Sequence, residues 1–251
     1  MPEPTPSDRA VSDLARALDG ARARRAEDAT DPAIPVAATV VLLRDASPGL
    51  EVLMIERPDR GSFAGAWVFP GGKLEAVDRI GPQESEEDVA RRAGVRETAE
   101  EIGVAVDPGS LVTLSCWDPP PGLALRIRTW FFVAAATEAE PALSPEEVVA
   151  AEWMRPAEAL ARHGRGELTL YPPTWVTLRG LSEHTDAASV LGAARIAGVE
   201  RFETAARRGT AGTVLMWQGD AEYDGDAGEA ASGARHRLEI GALPWRYERT
   251  G

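Results

Sequence analysis

One nine-residue run, Arg96-Glu97-Thr98-Ala99-Glu100-Glu101-Ile102-Gly103-Val104, constrains this chain more than any other stretch. On a helix, Glu97, Glu100 and Glu101 stand at i, i+3 and i+4, so three carboxylates share one face. Their repulsion on an exposed surface costs only tenths of a kcal/mol per pair, and many acidic helix faces are simply solvated. The upstream segment Phe69-Pro70-Gly71-Gly72-Lys73-Leu74-Glu75 changes that reading. Glycine lets a backbone turn tightly and approach a ligand closely, although an ordinary strand-to-loop turn uses it too. Hard oxygen donors beside free backbone groups suit Mg2+ or Mn2+, and such ions usually hold phosphates.

Composition narrows the partners. The 251 residues suffice for one large domain, or one domain with an appendage, and 44% apolar residues predict a packed core. A net charge of −13 and a pI near 4.8 argue against a nucleic-acid partner, which needs a basic patch. They leave a phosphorylated small molecule open, because a bound metal inverts the local charge. The single Cys116 excludes an intramolecular disulfide and a CxxC metal site, and a buried strand thiol is expected. No apolar run reaches the roughly 18 residues of a membrane span. The start Met1-Pro2-Glu3-Pro4-Thr5-Pro6 lacks the basic and apolar segments of a signal peptide, so a soluble cytoplasmic protein is expected. Lys73 is the only lysine among 27 basic residues, which reads mainly as the codon usage of a GC-rich genome.

Three segments follow from the pattern. Residues 1–34 form an arm in which 12–27 could be helical until Pro32 and Pro35 end it. Its apolar face is thin (Val11, Leu14, Leu18), as for a docked or partly disordered arm. Residues 35–165 form the core, with strands expected at 36–43, 51–55, 67–69, 111–117, 125–136 and 150–154. A turn is expected over 46–49. A helix is expected over 86–102, with Ser85 as N-cap and Gly103 as its stop. Another starts at Pro156. In the third segment, 166–251, Pro172-Pro173 precedes the helical pattern Trp175, Val176, Leu178, Leu181. Residues 186–206 look helical in pieces, 219–233 read as a loop, and 213–217 and 237–240 as strands packed on the core. There is no internal repeat and no helix-turn-helix pattern.

The two marked segments together resemble the signature of the Nudix hydrolases, G-x5-E-x7-R-E-U-x-E-E-x-G-U, where U is aliphatic. Gly72 takes the place of its first glycine, and Arg96 to Val104 fits every fixed position except Thr98. Asp78 stands where the first Glu is expected. Residues 79–95 make a 17-residue gap in place of seven, a ten-residue insertion. The looser resemblance runs from about residue 36 to 180. It implies an α/β fold, the Nudix α/β/α sandwich with a mixed sheet, here with a C-terminal extension. It also implies metal-dependent hydrolysis of a diphosphate in a small-molecule nucleotide. Family members often dimerise, which leaves a homodimer open.

The resemblance implies Glu97, Glu100 and Glu101 as ligands of Mg2+ or Mn2+, with a backbone carbonyl near Gly71 beside them. Arg96 would pair with an acidic side chain of the signature and orient it. Gly72 and Lys73 would lie against substrate phosphate, although Lys73 could equally be a surface lysine. Asp78 is one methylene shorter than Glu, so Glu84, Glu86 or Glu87 of the insertion could replace it. The signature leaves the general base undefined. Glu146, Glu147 and Glu152 are the loop candidates beside the Glu residues of the signature, against ordinary roles at a helix start or strand edge.

Ile55-Glu56-Arg57, the run from Gly65 to Gly72, the long insertion and Arg128-Thr129-Trp130-Phe131-Phe132 resemble the subgroup that includes peroxisomal coenzyme A diphosphatases. The upstream coenzyme A pattern matches only at Arg57 and at Phe69 to Gly72. The ending Arg249-Thr250-Gly251 is not a peroxisomal address. Coenzyme A or an acyl derivative is the expected substrate, with ADP-ribose or a dinucleotide as the alternative. Arg57, Arg126 and Arg128 are expected phosphate contacts, or else solvated strand residues. A non-catalytic sensor of nucleotide metabolites is the alternative from another class, and intact carboxylates speak against it.

Overall fold

The computed structural model describes residues 14–250 apart from 15, 19, 26, 29–30, 61–62 and 225–232. Val11 and most of the expected loop over 219–233 therefore lie outside the described residues. Leu14 and residues 16–18 are helical, and the chain beyond them docks through Arg22 N–H on Pro121 O at 2.9 Å.

The core is one mixed sheet. Its strands are β1 (Val36–Ala46), β2 (Gly49–Glu56), β3 (Trp67–Val68), β4 (Gly71–Lys73), β5 (Val112–Asp118), β6 (Arg128–Ala135), β7 (Ala150–Met154) and β8 (Glu200–Glu203). The spatial order is β3-β2-β1-β6-β5-β8, with β4 paired to β1 and β7 to β2. β1 runs parallel to β6, and β5 parallel to β8; the other pairs are antiparallel. Strand periodicity explains the layers. Ala38, Val40 and Leu42 of β1 face one side, with Leu53 and Ile55 of β2 and Phe132 of β6. Val41 and Leu43 face the other, with Val52, Met54 and Val133.

Helix α1 (Glu86–Ile102) covers the first face with small residues, Ala90, Ala93 and Gly94. A Cβ at Gly94 would lie 3.0 Å from Val40, so the helix sits close on β1. Its ends are those the sequence predicts: Ser85 accepts from Asp88 N–H, and Gly103 takes the left-handed conformation at φ 68°. Helices α2 (Pro156–Gly164), α3 (Pro172–Leu181) and α4 (Ala187–Ala197) cover the second face. The result is the expected α/β/α sandwich.

The C-terminal extension differs from the sequence reading. Only 187–197 of the 186–206 stretch is helical. β8 follows and joins the core sheet, and β9 (Ala205–Gly209), β10 (Gly212–Met216), β11 (Arg235–Glu239) and β12 (Arg246–Thr250) build a second antiparallel sheet. Gly198, at φ 70°, ends the helix, and Phe202 then stacks on Trp117 with ring centroids 3.7 Å apart. The pairing partner of β8 is distant in sequence, so local helical pattern could not foresee it. Among the described residues no helix is long and apolar enough to cross a membrane.

Candidate active site

The site forms where α1 passes the short strand β4. The sequence suggested a glycine loop, but Gly71–Lys73 is a ladder strand, with Gly72 opposite Ala38. Glycine is required there by close approach. A Cβ on Gly71 would lie 2.2 Å from Ala38 O, inside the sheet. A Cβ on Gly72 would lie 2.3 Å from the Glu97 carboxylate carbon. Gly72 thus brings main chain against a carboxylate with no side chain between them.

Glu101 is 3% exposed. One oxygen accepts from Gly71 N–H at 2.8 Å, and the other lies 3.3 Å from Arg57 Nη1. Burial pushes its carboxyl up to about 7 against the opposing pull of Gly71 N–H and Arg57, and Glu97 and Glu147 add repulsion. Glu97 is also raised, first by burial and then, against the pull of Arg96, by Glu100 and Glu147. Glu100 stands more exposed. Glu97 and Glu101, beside Gly72 and Gly71, therefore repel one another and feel the exposed Glu147 as a further negative charge.

Arg96 binds four groups. Its Nε and Nη2 each lie 3.0 Å from an oxygen of Asp78, and Nη2 also donates to Lys73 O at 3.0 Å. Nη1 bridges Glu97 at 2.9 Å and Glu100 at 2.8 Å. Asp78, shorter than Glu, reaches the arginine nonetheless. Burial raises the Asp78 carboxyl, and Arg96 with Glu75 N–H more than reverses it, leaving it below its ordinary value. The insertion carboxylates lie elsewhere: Glu84 on Arg92, Glu87 on Arg91 and Thr113, Glu86 on Trp130 Nε1 and Arg128.

The remaining site residues divide. Arg57 meets Glu101, and its Nε is buried without a hydrogen-bond partner. Arg128 is buried in an internal network, with Nε 2.8 Å from Asp118 and Nη1 3.2 Å from Glu86. Arg126 lies 3.5 Å from Asp31 of the arm. Lys73 is exposed. Glu152 pairs with Arg162 at 2.9 Å on the surface of β7. Cys116 is buried, which pushes its thiol up to about 12 and leaves it unsuited to nucleophilic work.

Residues 142–149 dock on the end of α1. Ala142 N–H donates to Ile102 O at 2.8 Å and Ser144 N–H to Glu101 O at 2.9 Å, satisfying carbonyls of the last turn. Val149 N–H is tied to Glu56 O at 2.9 Å, and Arg60 Nη2 holds Glu146 O at 2.7 Å. This brings Glu147 within electrostatic reach of Glu97 and Glu101. Sequence reasoning missed Arg60, because 86 positions separate it from Glu146 and no local pattern marks the pair.

Among the described residues no three His, Cys, Asp or Glu side chains already close on one point. The donor set nevertheless fits a hard divalent cation. The carboxylates are oxygen donors, two of them raised by burial and mutual repulsion, and a cation would relieve both.

The site thus sets a buried carboxylate, Glu101, and the half-buried Glu97 of one helix against a strand of glycines, an arrangement suited to a metal-dependent phosphate chemistry. Comparison with known proteins agrees. The NUDIX domain family matches residues 33–172, more than half of the chain. The CTP pyrophosphohydrolase of Escherichia coli (strain K12) is 32% identical over 110 residues, which cover 44% of this chain and 70% of that protein. The crystal structure of a NUDIX hydrolase from Alicyclobacillus acidocaldarius superposes with a TM-score of 0.58 at 25% identity, covering 63% of this chain and 96% of that one. The chain belongs to the NUDIX family. It is an enzyme, a diphosphate hydrolase acting on nucleotide diphosphate derivatives.

Proposed function

We propose that Glu97, Glu100 and Glu101, with the Gly71 carbonyl, hold Mg2+ or Mn2+ and that the protein cleaves the diphosphate of coenzyme A or an acyl-coenzyme A. The observation that carries the site reading is Glu101, a buried carboxylate fixed by Gly71 N–H and crowded by Glu97 and Glu147. When bound, the divalent ion supplies Lewis-acid polarisation of the phosphate and activation of water. Arg96, anchored by Asp78, keeps Glu97 and Glu100 turned toward one another. Glu147 is assigned as general base, because the segment that carries it docks on the end of α1 beside Glu101, whereas Glu152 pairs with Arg162 on the surface of β7. Lys73 offers its exposed ammonium to substrate phosphates, and the partly exposed guanidinium of Arg57 stands beside Glu101 as a second phosphate contact. Arg128 is left out of this assignment, because Asp118 and Glu86 engage it inside the protein.

Coenzyme A is favoured by the Arg57 and Phe69 to Gly72 matches and by the long insertion. A second reading, hydrolysis of a nucleoside triphosphate, is favoured by the similarity to CTP pyrophosphohydrolase. A panel of coenzyme A, acetyl-coenzyme A, ADP-ribose, NADH, diadenosine polyphosphates and CTP, assayed with Mg2+ or Mn2+ against Glu101→Gln as blank, separates the readings. A kcat/KM highest for coenzyme A supports the first. A preference for CTP or ADP-ribose keeps the carboxylate chemistry and discards the coenzyme A assignment.

A further inference from the structure

Asp78 is one methylene too short for its place in the signature, yet it grips Arg96 with both oxygens at 3.0 Å. Its main chain must therefore lie closer to α1 than a Glu would need. Glu84, before α1, and Arg92, on α1, draw it there. Arg92 Nε donates to the Asp78 carbonyl at 2.7 Å, and Arg92 Nη2 donates to Glu84 Oε1 at 2.5 Å. The other Glu84 oxygen accepts from Ile80 N–H at 2.7 Å and Gly81 N–H at 2.9 Å, folding the start of the insertion onto itself. Arg92 and Arg96 are four positions apart on α1, so they share a face. One holds the carbonyl of Asp78, the other its carboxylate.

We infer that Arg92 and Glu84 are positioning residues that make a short Asp serviceable at position 78. Through Asp78 they keep Arg96 across Glu97 and Glu100. Neither touches the reacting atoms. The inference rests on the assignment of Glu97, Glu100 and Glu101 as the working carboxylates. The insertion thus completes the site from outside it.

The test is a rescue. Turnover of coenzyme A and of ADP-ribose is measured with Mn2+, and Mn2+ binding is followed separately by the loss of its free EPR signal. Arg92→Gln is expected to lower kcat by about ten- to a hundredfold, the scale of a small misplacement, and to weaken Mn2+ binding several-fold, with KM little changed. Adding Asp78→Glu to Arg92→Gln is expected to restore most of both losses, since the longer side chain regains the reach. A plain packing role for Arg92 would give no such rescue. Glu84→Gln, the milder variant for the case in which Arg92→Gln does not fold, is expected to show a smaller loss with the same rescue. Unchanged activity and Mn2+ binding in folded Arg92→Gln, or no rescue by Asp78→Glu, overturns the positioning role while Glu101→Gln still abolishes both. If Glu101→Gln changes neither readout, the carboxylate assignment itself fails.

Discussion

Two neighbouring glycines carry different burdens, and this separates stability from chemistry at single-residue resolution. Gly71→Ala drives a methyl into Ala38 O inside the sheet, so the fold itself must give. A loss of about 1–3 kcal/mol is expected, read as a lower midpoint in urea. Gly72→Ala meets the Glu97 carboxylate first, the far end of a side chain that can swing aside. Its expected signature is a near-parental melting temperature with kcat/KM reduced by roughly a hundredfold. Equal destabilisation by both substitutions would show that Gly72 serves packing alone. The Glu97, Glu100 and Glu101 face was legible in the sequence because helix spacing is a local property. The link from Arg60 to Glu146 was not, because only folding brings the two together.

At the scale of elements, α1 shows how far local chemistry reaches. Its start and stop agree with the caps expected from sequence, and Ser85 accepts the Asp88 N–H at 3.1 Å. Ser85→Ala is expected to cost about 1 kcal/mol without changing KM, which denaturation and steady-state kinetics check together. β7 also has the expected bounds, residues 150–154. β8 and β12 do not announce themselves. Their sequences, Glu200-Arg201-Phe202-Glu203 and Arg246-Tyr247-Glu248-Arg249-Thr250, are charged, and each is a strand because a neighbour offers a ladder.

For the whole molecule, the extension is structural to the core. β8 completes the sheet beside β5, and Trp217, Phe202 and Trp117 pack together across the junction. Removal of residues 184–251 is expected to abolish cooperative unfolding and to raise binding of a hydrophobic dye; a sharp transition in the shortened chain would show that the core stands alone. His163, 1% exposed and edge-on to Trp245 at 4.5 Å, joins α2 to this extension. Burial lowers it from 6.5 to about 4, so below 6.5 the unfolded chain binds the proton first. Its contribution to stability is complete above pH 6.5 and is lost as pH falls toward 4. His163→Leu is expected to flatten the stability decline between pH 6.5 and 4. The comparison with parent isolates it from Glu101, whose raised value acts in the opposite sense. An unchanged decline would assign the acid sensitivity to other groups.

The sandwich was implied by resemblance to the Nudix signature; the residues by themselves determined the ends of α1 and the three carboxylates on one helix face. These last follow from periodicity and capping, which act over a few residues. Tertiary structure decided the rest: that Asp78 reaches Arg96, that the segment bearing Glu147 docks on the end of α1, that Arg128 turns to Asp118 and Glu86, and that the extension enters the sheet. Each depends on groups far apart in the chain meeting at ångström distances. Burial then sets their charge and reach, and that environment exists only once the chain has folded.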